Sequence, residues 1–150
     1  MPKVRVTPSI PGSNASYQIY FNVGRGGWLK AEDSRIRIRF PQDTIFSKTD
    51  VPSASIRING TPLKERPILS KTNMTMICPV EIKDSGRVVV GISEQAGIIN
   101  PSLPGDYKLE VSTMPADPDW VSGSYEIKKG EGCNLNWNPE SQKIIIDYSK

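Results

Sequence analysis

Arg35, Arg37 and Arg39 alternate with Ile36, Ile38 and Phe40, so three guanidinium groups fall on one side of a single extended segment. Side by side, such groups suit an anionic polymer, whether wall phosphates or acidic sugars, because each offers a planar fork of donors. The competing assignment is a solvated outer strand face with carboxylate partners on neighbouring strands. Trp28 and Trp120 fall in expected loops, where an indole stacks on a sugar ring or caps the end of a core. These five residues are the candidate ligand-binding set. Nucleic acid is not expected, since aromatics do not interleave with this ladder.

Histidine is absent. That removes the commonest general base, the commonest transition-metal ligand, and both the Ser-His-Asp and Cys-His arrangements. Glu32-Asp33 and Asp117–Asp119 are carboxylate pairs of the kind glycosidases use, or loop oxygens of the kind calcium takes. No EF-hand spacing accompanies them, and both read as solvated turn residues. Gly24-Arg25-Gly26-Gly27 lacks the Gly-Lys-Ser/Thr ending of a phosphate loop and reads as a turn. Cys78 and Cys133 are too far apart for a metal pair; a disulfide between them requires Cα atoms within about 7 Å. The sequons at Asn14, Asn59 and Asn73 are of the number a Ser/Thr-rich chain produces by chance. No catalytic residue, metal site or cofactor is expected.

The elements that must carry these side chains are strands. Successive Cβ atoms of a strand point to opposite faces, so a period of two marks a half-buried strand. Lys3–Thr7, Ala15–Val23, Ser34–Phe40, Asn73–Cys78, Gly86–Ile92, Asp106–Thr113 and Gly123–Lys128 fit that pattern. Ala54–Ile58 and Thr61–Lys64 flank Asn59-Gly60, which supplies positive φ at both central positions of a type I′ hairpin turn. No helical stripe with a period of about 3.6 replaces the alternation. Gln42–Pro52 reads as irregular. The inward set is Ile19, Phe21, Ile36, Ile38, Ile56, Val89, Leu109 and Val111.

At 150 residues the chain suits one domain with a small appendage, and 12 Gly with 13 Pro punctuate many turns. A net charge of +3 is a mild bias. No run of about 18 apolar residues is present, so membrane insertion is not expected. Met1–Val6 lacks the apolar stretch of a signal peptide. The fold class is therefore all-β: an antiparallel sandwich of about seven to nine strands over residues 1–128. Residues 129–150 form an expected C-terminal hairpin extension or the start of a following module, with Cys133–Trp137 paired to Lys143–Tyr148. An isolated hairpin is marginal in water, so it must pack on something.

Several stretches taken together resemble a module of bacterial cell-surface proteins: Val6-Thr7-Pro8, Ala15–Phe21, Ile36–Pro41, Ile56–Gly60, and Gly97–Ser102 running on to Gly105–Val111. The module is an immunoglobulin-like stalk repeat. The resemblance spans Val4 to about Ile127 and implies an immunoglobulin-like, extracellular or cell-surface, non-catalytic sandwich; the missing signal-peptide stretch means either an excised piece of a larger exported protein lacking its leader or a cytoplasmic protein. It brings no shared binding residues. The expected function is a structural spacer or interaction module whose partners are neighbouring modules of a larger chain. The alternative is a carbohydrate- or anionic wall-polymer-binding module using Trp28 or Trp120 with the arginine face.

Overall fold

The computed structural model describes residues 2–114 and 117–128; the expected hairpin and Cys133 lie outside them. In chain order the strands are β1 (Lys3–Thr7), β2 (Ser16–Asn22), β3 (Trp28–Leu29), β4 (Arg35–Arg39), β5 (Ile45–Phe46), β6 (Ile56–Ile58) and β7 (Thr61–Pro62). They continue with β8 (Ile68–Ser70), β9 (Asn73–Ile77), β10 (Ile82–Lys83), β11 (Arg87–Ile92), β12 (Ile98–Ile99), β13 (Gly105–Met114) and β14 (Asp117–Ile127). Two single 3₁₀ turns, Ser53–Ser55 and Glu94–Ala96, are the only helical pieces among the described residues.

Two five-stranded sheets are ordered β1-β2-β11-β6-β7 and β14-β13-β4-β9-β8, and every ladder is antiparallel. Short pairs, β3 with β10 and β5 with β12, close the ends. The chain is thus all-β and sandwich-like. Its alternating segments supply one continuous core from both sheets, with Ile19, Ile56, Val88 and Val90 from the first and Ile36, Ile38, Met74, Met76 and Leu109 from the second. Near one end, Tyr17 packs edge-on against Phe40 at 5.4 Å and Tyr125 at 6.0 Å between centroids, the geometry aromatic quadrupoles prefer.

The Asn59-Gly60 turn forms as its dipeptide dictates: φ is +50° and +87°, and Ile58 pairs with Thr61. Asn59 also clips the hairpin to β11, its Nδ2 donating to Arg87 O at 2.9 Å while Oδ1 accepts from Val89 N–H at 2.7 Å.

Two positions differ from the expectation set by the sequence. In β11 the core takes Val88 and Val90, and Val89 is only half-buried. Arg87 and Gly91 share the face of Val89 while Ile92 shares that of Val88 and Val90, and the pairing with β2 and β6 turns the Val88–Val90–Ile92 face inward. Phe21 is also half-buried, because it lies where the seam between the sheets opens. The β13–β14 register shifts between Val111 and Thr113, the extra residues lying on β14, while β13 keeps its alternation against β4: Val111 and Thr113 face the core with Ile38 and Ile36, and Ser112 faces outward beside Arg37. Inside the irregular stretch Gln42–Pro52, Ile45–Phe46 pairs with Ile98–Ile99.

Candidate functional site: the arginine–tryptophan face

Strand β4 lies between β13 and β9, with Ile36 and Ile38 fully buried and the three arginines on the outer face. The register sets their neighbours. Arg37 stands opposite Ser112 and Thr75, Arg39 opposite Glu110 and Asn73, and Arg35 opposite Met114 and Ile77.

Two of the three guanidinium groups are engaged. Arg39 Nε donates to Glu110 Oε1 at 2.7 Å. Arg37 Nε donates to Ser112 Oγ at 2.8 Å, and its Nη2 to Pro118 O at 3.2 Å. Over both lies the indole of Trp120, reaching from β14 across β13, with the guanidinium carbons 4.7 Å (Arg37) and 4.2 Å (Arg39) from the ring centroid. A cation over an indole face is attracted by the ring quadrupole. This cover explains why Ser112, a polar residue on the outer face, is 2% exposed. Arg35 is exposed and makes no ion pair among the described residues.

Trp28 is placed elsewhere. It sits in the β3–β10 pair, 44% exposed, its Nε1–H donating to Glu81 Oε2 at 2.7 Å. Lys30 and Lys83 approach its ring at 4.5 and 5.3 Å. The tertiary structure therefore unites Trp120 with Arg37 and Arg39 and leaves Trp28 in a separate cluster.

The remaining candidates resolve as local structure. Gly27 N–H donates to Gly24 O at 2.8 Å and Gly26 N–H to Asp84 Oδ1 at 2.6 Å, making the glycine run a capped turn. Glu32 pairs with Lys64. Asp119 lines a cleft of about 420 Å³ at the open seam, with Phe21, Val111 and Val121 as its apolar walls. Among the described residues no group of three His, Cys, Asp or Glu side chains is placed to hold a metal ion. Cys78 is buried, its Sγ 3.1 Å from Val80 O, and burial pushes its thiol pKa up.

One organising residue gave no clear sign in the sequence. Asn100 is fully buried; its Nδ2 donates to Pro8 O at 2.9 Å and Ile10 O at 3.0 Å, and its Oδ1 accepts from Tyr17 Oη at 2.9 Å. The signal was its place between Ile98-Ile99 and Pro101, since an Asn amide can satisfy loop backbone that no strand partner reaches.

Fold and face together define an all-β, antiparallel, sandwich-like module with an arginine–tryptophan plate on one sheet. No family model matches the chain, and no curated protein matches it. Among solved structures it is similar to the crystal structure of BslA, a bacterial hydrophobin, with 12% sequence identity and a TM-score of 0.52 over 87% of this chain and 94% of that one. At that identity the likeness concerns the fold alone. No helix among the described residues is long and apolar enough to cross a membrane.

Proposed function

We propose that this chain is a non-catalytic, immunoglobulin-like spacer of a bacterial surface protein, working outside the cell between neighbouring modules. The observation that carries the reading is the path of the chain. Strand β1 starts where Lys3 pairs with Tyr20, towards the end that holds the β6–β7 turn, and runs to Thr7 opposite Ser16. Strand β14 runs the same way and delivers Lys128 N–H to Ser9 O at 2.8 Å, beyond the far end of β1. Chain enters towards one end of the sandwich and leaves at the other, as a linear string of modules requires.

The same path sets how tension is carried. A pull along the long axis loads β1 against β2 and β14 against β13 parallel to the strands, so the ladder bonds stretch together instead of peeling in turn. Trp120 adds a tie from β14 to β4, two strands inward. The anionic-polymer alternative is weaker, because the Arg39 charge is already paired with Glu110 and the Arg37 and Arg39 faces are covered by Trp120.

The test is single-molecule stretching of the chain within a polyprotein, pulled through residues 2 and 128. A single cooperative rupture, at forces well above those of helical bundles, is expected. Gradual extension at low force would end the spacer reading. Binding to acidic glycans that is abolished by Arg37→Ala would promote the alternative.

A further inference from the structure

The outer face of the first sheet is cationic. Alternation in β1, β2, β11 and β6 turns Lys3, Arg5, Gln18, Tyr20, Arg87 and Arg57 away from the core. None of the five strands of this sheet contains Asp or Glu. None of its four cations is in an ion pair among the described residues.

Register makes these groups neighbours. Arg5 pairs with Gln18, Gln18 with Gly91, and Gly91 with Arg57, in one row across four strands. At about 4.8 Å between strands, the two arginines stand roughly 14 Å apart at the backbone. Lys3 lies opposite Tyr20 in the next row, and the Arg87 guanidinium carbon is 5.1 Å from the Tyr20 ring centroid. Tyr20 Oη donates to Gln18 Oε1, and Arg57 Nη1 donates to Gly60 O at 3.0 Å, so the row is held in place.

Gly91 sits in the middle of this row. A glycine weakens a strand interior, and it commonly marks a bulge or the close approach of a ligand. The ladder with β2 is regular here, φ is not positive, and a Cβ would meet nothing nearer than Arg57 O at 3.9 Å. Neither register, backbone nor packing calls for glycine. What the missing side chain provides is a notch of about 250 Å³, edged by Ser16, Gln18, Arg57 and Ser93.

We propose that this face binds an acidic polysaccharide laid across the strands, with a uronate-type sugar ring seated on the Gly91 peptide. The carboxylate of that ring meets the Arg57 guanidinium, and its hydroxyls meet Gln18, Ser16 and Ser93. Further acidic groups along the polymer meet Arg5 and Lys3. Hydroxyls and an amide line the notch, as a sugar requires. Tyr20, the one aromatic strand residue on this face, already carries Arg87 over its ring, so a base finds no free stacking platform. The site lies on the sheet opposite the arginine–tryptophan face and goes beyond the spacer reading, which stands whether or not the polymer binds.

Calorimetric titration of the full chain with polygalacturonate at low salt tests it. Saturable binding that weakens as salt is added is expected. The Arg5→Ser, Arg57→Ser double variant should bind about tenfold more weakly or worse, and Arg37→Ala on the other sheet should bind as the wild type does. Gly91→Val keeps every charge and suits a strand, so its thermal midpoint should hold or rise. Its affinity should nonetheless fall about tenfold or more, because the notch is filled. Absence of binding by the wild type, or affinity untouched in a folded Gly91→Val variant, would overturn the proposal. So would equal binding of methyl-esterified polygalacturonate, which lacks the charge. Binding of inorganic polyphosphate or single-stranded DNA as tight as that of polygalacturonate would also overturn it, since charge alone would then suffice.

Discussion

The indole of Trp120 lies over the guanidinium of Arg39, 4.2 Å from ring centroid to guanidinium carbon, and so ties the edge strand β14 to β4 across the whole width of β13. Arg37 shares the same ring from 4.7 Å and bonds Pro118 O on β14. Trp120→Ala removes both stacking contacts and opens Ser112 to water. A loss of roughly 1–3 kcal/mol in urea denaturation is expected, with Trp120→Phe losing less. An unchanged midpoint in the alanine variant would show the stack to be energetically idle.

Asn100 satisfies three partners at once in a fully buried position. Replacing it by Ala leaves the Pro8 and Ile10 carbonyls and the Tyr17 hydroxyl to find others. Roughly 2–4 kcal/mol of stability should go, since stranding buried polar groups costs more than forming their bonds gains. Thermal unfolding by circular dichroism measures it, with Asn59→Ala at the exposed turn as the milder comparison.

Tyr125 is buried, and among the described residues its hydroxyl and Thr44 Oγ1 make no hydrogen bond of good geometry, although Tyr17 and Thr44 lie near the phenol. Tyr125→Phe therefore removes an unsatisfied group and should leave stability unchanged or raise it by up to about 1 kcal/mol. Loss of more than that would mean the hydroxyl is bonded through water.

The same burial raises the Tyr125 phenol to about 12, and burial raises Tyr17 further in the same direction. In the unfolded chain both titrate near 10. Below pH 10 both states are neutral and no stability is lost. As pH rises from about 10 the unfolded state sheds protons that the folded state keeps, so stability falls until the folded phenols ionise as well. Denaturation midpoints should drop between pH 10 and 12, less steeply in Tyr125→Phe. A flat profile over that window would contradict the assigned burial.

Gly123 marks the closest approach of β14 to the first strand. A Cβ there would stand 2.7 Å from Pro2 O and 3.1 Å from Val4 Cγ2. The nearer atom is backbone, so Gly123→Ala must move β1 outward at a cost of roughly 1–3 kcal/mol. Amide exchange in β1 should rise in that variant while β9 stays protected; equal protection of both strands would argue against the close approach.

The sequence by itself determined the strands and their turns. The Arg/Ile alternation of 35–39 and the Asn59-Gly60 dipeptide are local signals, fixed by Cβ direction and by the φ each residue tolerates. Two-residue strands such as β5 and β12 left no period to read, because their pairing is decided by chain that arrives more than fifty residues later. The phase of Val88–Val90 was legible from Arg87, Gly91 and Ile92 around them, but local pattern could not foresee that Trp120 would cover Arg37 and Arg39 while Trp28 would not. Those outcomes belong to the tertiary structure, because alternation states which residues share a face, and only the partner across the sheet decides what that face meets.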